Sequence, residues 1–239
     1  MNKYKDLIDW IKESKHTVFF GGAGVSTESG LKDFRSKDGL YNEKYDYPPE
    51  EILSLTFFNN NTEEFYRFYK DKMNSLKYKP NITHKVLKEM EEKNLLSAII
   101  TQNIDGFHDG SKKVIELHGS IMRNYCTKCH KSFDAEYVFN SEGIPKCSCG
   151  GIIKPDVVLY EEQLNEENII DAINEISNAE LLIIGGTSLN VYPAAGFIRY
   201  FHGKHLVLIN RDETPYDYMC DLVIHDSIGE VFSEIEKYI

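Results

Sequence analysis

Four short runs of consecutive apolar residues, each ending at a polar or glycine-rich stretch, restrict this chain more than any other feature. They are Thr17-Val18-Phe19-Phe20, Ser97-Ala98-Ile99-Ile100, Leu181-Leu182-Ile183-Ile184 and Leu206-Val207-Leu208-Ile209. A strand with one wet face alternates apolar and polar residues. Unbroken runs of this length predict strands buried on both faces, as in a parallel sheet covered by helices. Tyr4, Leu7, Ile8 and Ile11 share one face of a predicted helix at 3–14, and helical patterns also cover 81–93 and 165–178. Helix–strand alternation of this kind predicts an α/β chain with a Rossmann-type doubly wound parallel sheet. Each polar strand ending is then a candidate ligand loop.

Two regions interrupt the alternation: residues 41–80, rich in Tyr, Phe, Asn and Lys, and residues 120–155, which hold four of the five cysteines. At 239 residues the chain has room for a large domain with a smaller insert. The expected division is a large domain from 1–40, 81–119 and 156–239, with 41–80 and 120–155 packing together as a small one. Twenty-seven basic against thirty-eight acidic residues give a net charge of -11. That sign opposes binding to nucleic-acid backbones and anionic membranes, and favours basic protein segments. The charged opening residues 1–15 have no secretory apolar core, and no later run approaches bilayer length, so a cytoplasmic location is expected.

The cysteines are Cys126-x2-Cys129, seventeen intervening residues, then Cys147-x-Cys149 followed by Gly150-Gly151. In a reducing compartment such a cluster reads as metal ligation. Four thiolates close a tetrahedral zinc site with no open position, so the metal is structural. The second pair is one residue shorter than a usual knuckle, which demands a tighter turn or His130 in place of one thiolate. Four cysteines are the expectation, since His130 adjoins Cys129. The insert is thus read as a helical and zinc-binding module.

The turn Gly22-Ala23-Gly24 after the first run suits either a pyrophosphate or a close strand–helix contact. Asp33-Phe34-Arg35 follows it. Thr101-Gln102-Asn103-Ile104-Asp105 stands just past a strand end, with groups suited to a carboxamide or a ribose. His118, in Glu116-Leu117-His118-Gly119, falls at another strand end, and histidine is well matched to proton transfer near neutral pH.

In this order the pieces resemble the sirtuin family across nearly the whole chain. Gly22-Ala23-Gly24-x-Ser26-x-x-Ser29-Gly30-Leu31-Lys32-Asp33-Phe34-Arg35 is similar to its NAD loop, Thr101 to Asp105 to its nicotinamide-site motif, and Leu117-His118-Gly119 to its catalytic histidine. The cysteines, Lys154-Pro155-Asp156-Val157-Val158-Leu159-Tyr160, Gly186-Thr187-Ser188-Leu189, Tyr192-Pro193-Ala194 and Asn210 follow in the family's order. The resemblance implies an NAD-dependent protein-lysine deacetylase or deacylase. NAD would be its co-substrate, one Zn2+ its structural metal, and acyl-lysine-bearing proteins or peptides its partners.

Position by position, the resemblance implies that Ala23, Thr27, Phe34 and Arg35 contact NAD around the pyrophosphate and nicotinamide ribose. It puts Gln102 at a ribose, Asn103, Ile104 and Asp105 around nicotinamide, and Thr187, Ser188, Asn210 and Ile228 at the adenosine half. His118 would be the general base, beside NAD. Val158, Leu159 and Tyr160 would pair with the substrate backbone as a strand. The implied products are nicotinamide, an O-acyl-ADP-ribose and free lysine; protein ADP-ribosyl transfer and a non-catalytic NAD sensor are the alternatives.

Some residues depart from the family pattern. Lys32 stands where Pro is common, and Tyr160-Glu161 where Phe-Gly is. Relatives that remove succinyl or malonyl groups carry Tyr-x-x-Arg, whereas here Tyr66 is followed by Tyr69. Without that cation a buried carboxylate lacks a partner, so acetyl or other neutral acyl groups are expected over succinyl.

Overall fold

The computed structural model describes residues 3–33, 39, 46–189, 192 and 194–239. Six parallel strands form the main sheet: β1 (Thr17–Gly21), β2 (Ala98–Thr101), β3 (Val114–Glu116), β7 (Leu181–Gly185), β8 (His205–Ile209) and β9 (Leu222–Ile224). A second, antiparallel sheet holds β4 (Gly119–Cys126), β5 (Ser132–Asp134) and β6 (Ile153–Val157), in the order β5-β4-β6. The helices are α1 (Lys5–Glu13), α2 (Pro49–Ile52), α3 (Leu55–Asn60), α4 (Thr62–Lys72), α5 (Ile82–Glu92), α6 (Ala135–Asn140), α7 (Glu166–Asn178) and α8 (Ile228–Glu236).

The main sheet runs β3-β2-β1-β7-β8-β9, with every pairing parallel. From β1 the chain builds outward through β2 and β3, then crosses to β7 and builds the other way. The reversal leaves a crevice beyond the C-terminal ends of β1 and β7, where ligands of such sheets sit.

The apolar runs are buried on both faces because successive side chains point to opposite sides. Phe19, Ile99, Ile183 and Val207 join one core with Leu7 and Ile11 of α1, Val86 and Met90 of α5, and Val231 and Phe232 of α8. Phe20, Ile100, Ile184 and Leu208 join the other with Ala172 and Ile176 of α7. Side-chain caps fix helix starts on both faces of the sheet: Asn81 accepts from Thr83 N–H at α5 and Asn165 from Asn168 N–H at α7. Sequence-based expectation had not included α8, although Ile228, Val231, Phe232 and Ile235 carry the helical i, i+3, i+4, i+7 spacing.

A third core joins the two interrupting regions. Phe57, Phe65, Phe68 and Tyr69 from the helical segment pack with Ile121, Cys126, Val138, Cys147 and Ile153 from the cysteine segment. Among the described residues, no helix is long and apolar enough to cross a membrane.

Candidate functional site

A cleft of about 1050 Å³ opens at the sheet's reversal point, between the strand ends and the third core. Its inner wall is the junction of the turns after β1 and β7. Gly24 N–H donates to Gly186 O (2.8 Å), and Gly22 N–H donates to Gly185 O (3.1 Å). A Cβ on Gly24 would lie 2.8 Å from Gly186 Cα, and one on Gly22 would lie 2.6 Å from Thr187 Cβ. Gly186 itself sits at φ +59. The glycine turn makes a close backbone contact with the turn after β7, and it lines the cleft.

The strand-end motif forms the second wall. Gln102 N–H donates to Gly21 O (3.0 Å), and Gln102 Nε2 donates to Thr187 Oγ1 (3.3 Å), tying the two walls together. Asn103 Nδ2 donates to Gly22 O and to Ser26 Oγ, each at 3.1 Å. Ser26 Oγ donates in turn to Asp105 Oδ2 at 2.7 Å. Burial pushes the Asp105 carboxyl above its ordinary value, opposed by the Phe107 N–H and the Ser26 hydroxyl. The buried Ser26 was missing from the expected site residues, although it lies inside the quoted glycine motif. Its bond to Asp105 spans 79 residues and leaves no local pattern.

His118 stands between β3 and β4, half-buried, on the cleft wall. Its Nδ1 lies 2.7 Å from Gln102 O. A carbonyl only accepts, so Nδ1 carries the proton and Nε2 of the neutral ring is left as the base. Burial pulls the imidazole below its ordinary value, and the bond to Gln102 works against that shift. Gly119, at φ +74, lets the chain turn immediately after His118; a Cβ there would collide with Asp156 O.

Ala23, Asn103, Ile104, Asp105, Thr187, Ser188 and Asn210 also line the cleft, as do Val158, Leu159 and Tyr160. Two expected residues are placed elsewhere. Thr27 Oγ1 donates to Gly24 O (3.0 Å), and Ile228 is buried against Gly185 at the start of α8. Phe34, Arg35 and Pro193 lie outside the described residues.

The segment after β6 is held from two sides. Tyr160 N–H donates to Leu53 O (2.9 Å) and its carbonyl accepts from Leu55 N–H (3.0 Å), so its backbone already pairs with the helical segment. The buried Lys154 donates to Val157 O (3.1 Å) and Glu162 Oε2 (2.9 Å), while that carboxylate accepts from Leu159 N–H (2.8 Å). Glu161 sits at φ +76, the left-handed region that glycine occupies freely, and its carboxylate accepts from Thr56 N–H (2.9 Å).

The sulfurs of Cys126, Cys129, Cys147 and Cys149 lie within 4.8 Å of one another, and His130 is not in the group. Cys126 and Cys149 are 3.4 Å apart, and Cys129 and Cys147 3.6 Å. Tetrahedral zinc–thiolate geometry sets sulfurs about 3.8 Å apart. The cluster therefore fits one structural zinc held by four cysteines. A tight turn accommodates the shorter second pair: Gly150 N–H donates to Cys147 O and Cys147 N–H to Gly151 O. Cys220, expected to be a buried apolar residue, is half-buried, with its thiol pushed up to about 11 chiefly by burial.

The model of the Sir2 family matches residues 22–193. A protein of Clostridium acetobutylicum named NAD-dependent protein deacetylase is 57% identical over 98% of each chain. Among solved structures, a Sir2–p53 peptide–NAD+ complex superposes with a TM-score of 0.86 at 38% identity, covering 99% of this chain and 98% of the other. Sir2Tm bound to a propionylated peptide gives the same TM-score, identity and coverage.

Proposed function

The chain belongs to the Sir2 family, and from that premise we propose that it is an NAD-dependent protein-lysine deacetylase, with NAD bound along the strand ends. The observation that carries this reading is His118, whose Nδ1–H is fixed on Gln102 O inside the cleft. The cleft fits a dinucleotide: it holds about 1050 Å³, is polar at the strand ends, and has a glycine floor where side chains would collide. Ala23, Gln102, Asn103, Ile104, Asp105, Thr187, Ser188 and Asn210 are proposed to hold NAD, with Thr27 supporting the glycine turn and Phe34, Arg35 and Ile228 carried by the family resemblance.

NAD bound there would supply an electrophilic ribose carbon and a nicotinamide leaving group. His118 Nε2 then accepts a ribose hydroxyl proton, and its lowered basicity keeps the ring neutral and ready at neutral pH. Asn103 and Asp105, locked through Ser26, present fixed polar groups to nicotinamide. With one water consumed to release the amine, the proposed products are nicotinamide, an O-acyl-ADP-ribose and free lysine. Val158 and Leu159, braced by Lys154 and Glu162, would meet the substrate backbone, with Tyr160 held by the helical segment. The division into a large nucleotide-binding domain and a small domain of 41–80 and 120–155 is supported by the third core.

Tyr69 supplies no cation for an acyl carboxylate, and Lys72, which also lines the cleft, is paired with Asp71 at 3.1 Å. Acetyl and neutral acyl peptides are therefore expected to be turned over faster than succinyl ones. Parallel kcat/KM measurements on acetyl-, propionyl- and succinyl-lysine peptides test this, and fastest turnover of the succinyl peptide would refute it.

A further inference from the structure

Directly after His118 the chain enters β4, whose pairing with β6 is interrupted. Gly119 stands opposite Val157 and Ser120 opposite Asp156, but the next pair is Asn124 with Pro155, so Ile121, Met122 and Arg123 face no residue of β6. A bulge of this kind bends its strand and re-aims a side chain. Ile121 N–H anchors it by donating to Ile104 O (2.9 Å), and Asn124 Nδ2 donates back to Ile121 O (3.0 Å). From the bulge Arg123 reaches both strands that meet at His118: Nη1 donates to Glu116 Oε2 (2.6 Å) and Nε to Asp156 Oδ2 (2.9 Å).

Each partner lies two residues from the site. Glu116 precedes His118 at the end of β3, and its carbonyl accepts from Asn168 Nδ2 (2.9 Å). Asp156 precedes Val158, whose N–H donates to His118 O (2.9 Å). One guanidinium therefore spans the strand that delivers the histidine and the strand that leads into the segment proposed to meet the substrate backbone. A planar fork supplies two separate nitrogens for this; an ammonium supplies one. Arg123 is not among the described residues that line the cleft. It lines a second cavity of about 290 Å³, which shares Val157, Val158, Glu162 and Gln163 with the cleft.

The Glu116 end of this bridge carries the energetic weight. Glu116 is 17% exposed against 54% for Arg123, whereas the Asp156 end is open to water on both sides. Burial pushes the Glu116 carboxyl above its ordinary value, the Arg123 guanidinium opposes that shift, and the carboxylates of Asp109 and Asp156 add to it. Removing the cation leaves a mostly buried carboxylate unpaired, a larger loss than that of an exposed ion pair. Resting on the deacylase reading, we propose that Arg123 is a positioning residue, which fixes His118 and the 158–160 segment relative to each other through Glu116 and Asp156 without touching NAD or substrate.

The test measures acetyl-peptide turnover and, by calorimetry, NAD affinity and the number of NAD sites for the wild type, Arg123→Met, Arg123→Lys, Glu116→Gln and the Glu116→Gln/Arg123→Met pair. Counted per NAD site, so that a loss of folded material cancels, kcat should fall about 3- to 10-fold in Arg123→Met, with the NAD Kd within about twofold of wild type. Arg123→Lys should recover part of the loss. Glu116→Gln should cost less in the Arg123→Met background than alone, since the two act as one unit. An Arg123→Met kcat per site equal to that of an active wild type overturns this inference alone. So do a fall in NAD affinity as large as the fall in kcat, no recovery with Lys, or simply additive losses in the pair. A wild type inert on the acetyl peptide with NAD overturns the deacylase reading together with it.

Discussion

At the scale of single residues, the proposed chemistry rests on one tautomer. The Gln102 carbonyl dictates that His118 Nδ1 is the protonated nitrogen, leaving Nε2 as the base. Replacing His118 with Ala should lower the deacylation kcat by about 10²- to 10⁴-fold while the fold is retained, measured by steady-state turnover alongside circular dichroism. The pH profile carries a second expectation. A base works in its neutral form, and burial lowers the His118 pKa, so activity should fall only as pH drops below the ordinary imidazole range. An acidic limb in kcat/KM centred above that range would contradict the burial argument. Sequence made His118 a candidate through its strand-end position, but His84 and His108 carry the same residue type and do other work. His84 Nδ1 belongs to the α5 cap with Asn81, and both rings are buried. Only the fold separates these roles.

At the scale of elements, legibility follows burial. Strands β1, β2, β7 and β8 are covered on both faces, so their sequences are continuous apolar runs and their limits are met to within a residue. The edge strand β9 spans only three residues and is incompletely buried, too short and too mixed for a pattern. In β4 the pairing register shifts between Ser120 and Asn124, which breaks the inside–outside alternation. The zinc module was legible in its ligands and not in its packing. Cys126 and Cys147 are also members of the third core, with the helical segment on their other side. Loss of the metal should therefore loosen the helical segment as well as the module. Cys147→Ser should reduce bound zinc from about one to near zero per chain and render both 49–77 and 119–157 sensitive to limited proteolysis. Unchanged protection of 49–77 in the zinc-free variant would show the two segments to be independent.

Across the whole molecule, the reversal in strand order brings together pieces far apart in sequence: the turn after β1, the motif after β2, the histidine after β3, and the turns after β7 and β8. Motif order was readable from the sequence; convergence was a property of topology. The same burial that shapes the cleft makes the fold acid-sensitive. Burial depresses His84 to about 3, with the neighbouring His108 adding to the shift, and depresses His108 to about 4. Both values lie below the ordinary unfolded value, so the unfolded chain takes up protons first, and stability present above about pH 6.5 is lost as pH falls toward 4. Each such histidine removes about 2 kcal/mol between pH 7.5 and pH 5. The His108 ring nitrogens have no partner among the described residues, so His108→Phe should lose less stability than the wild type over that interval, read from denaturant melts at both pH values. The central claim is the reaction itself, and mass spectrometry of products from NAD and an acetyl-lysine peptide tests it most directly. Nicotinamide, deacetylated peptide and O-acetyl-ADP-ribose formed in equal amounts are predicted, with none formed when NAD is withheld. Deacetylation without NAD, or ADP-ribose found attached to protein in place of O-acetyl-ADP-ribose, would contradict it.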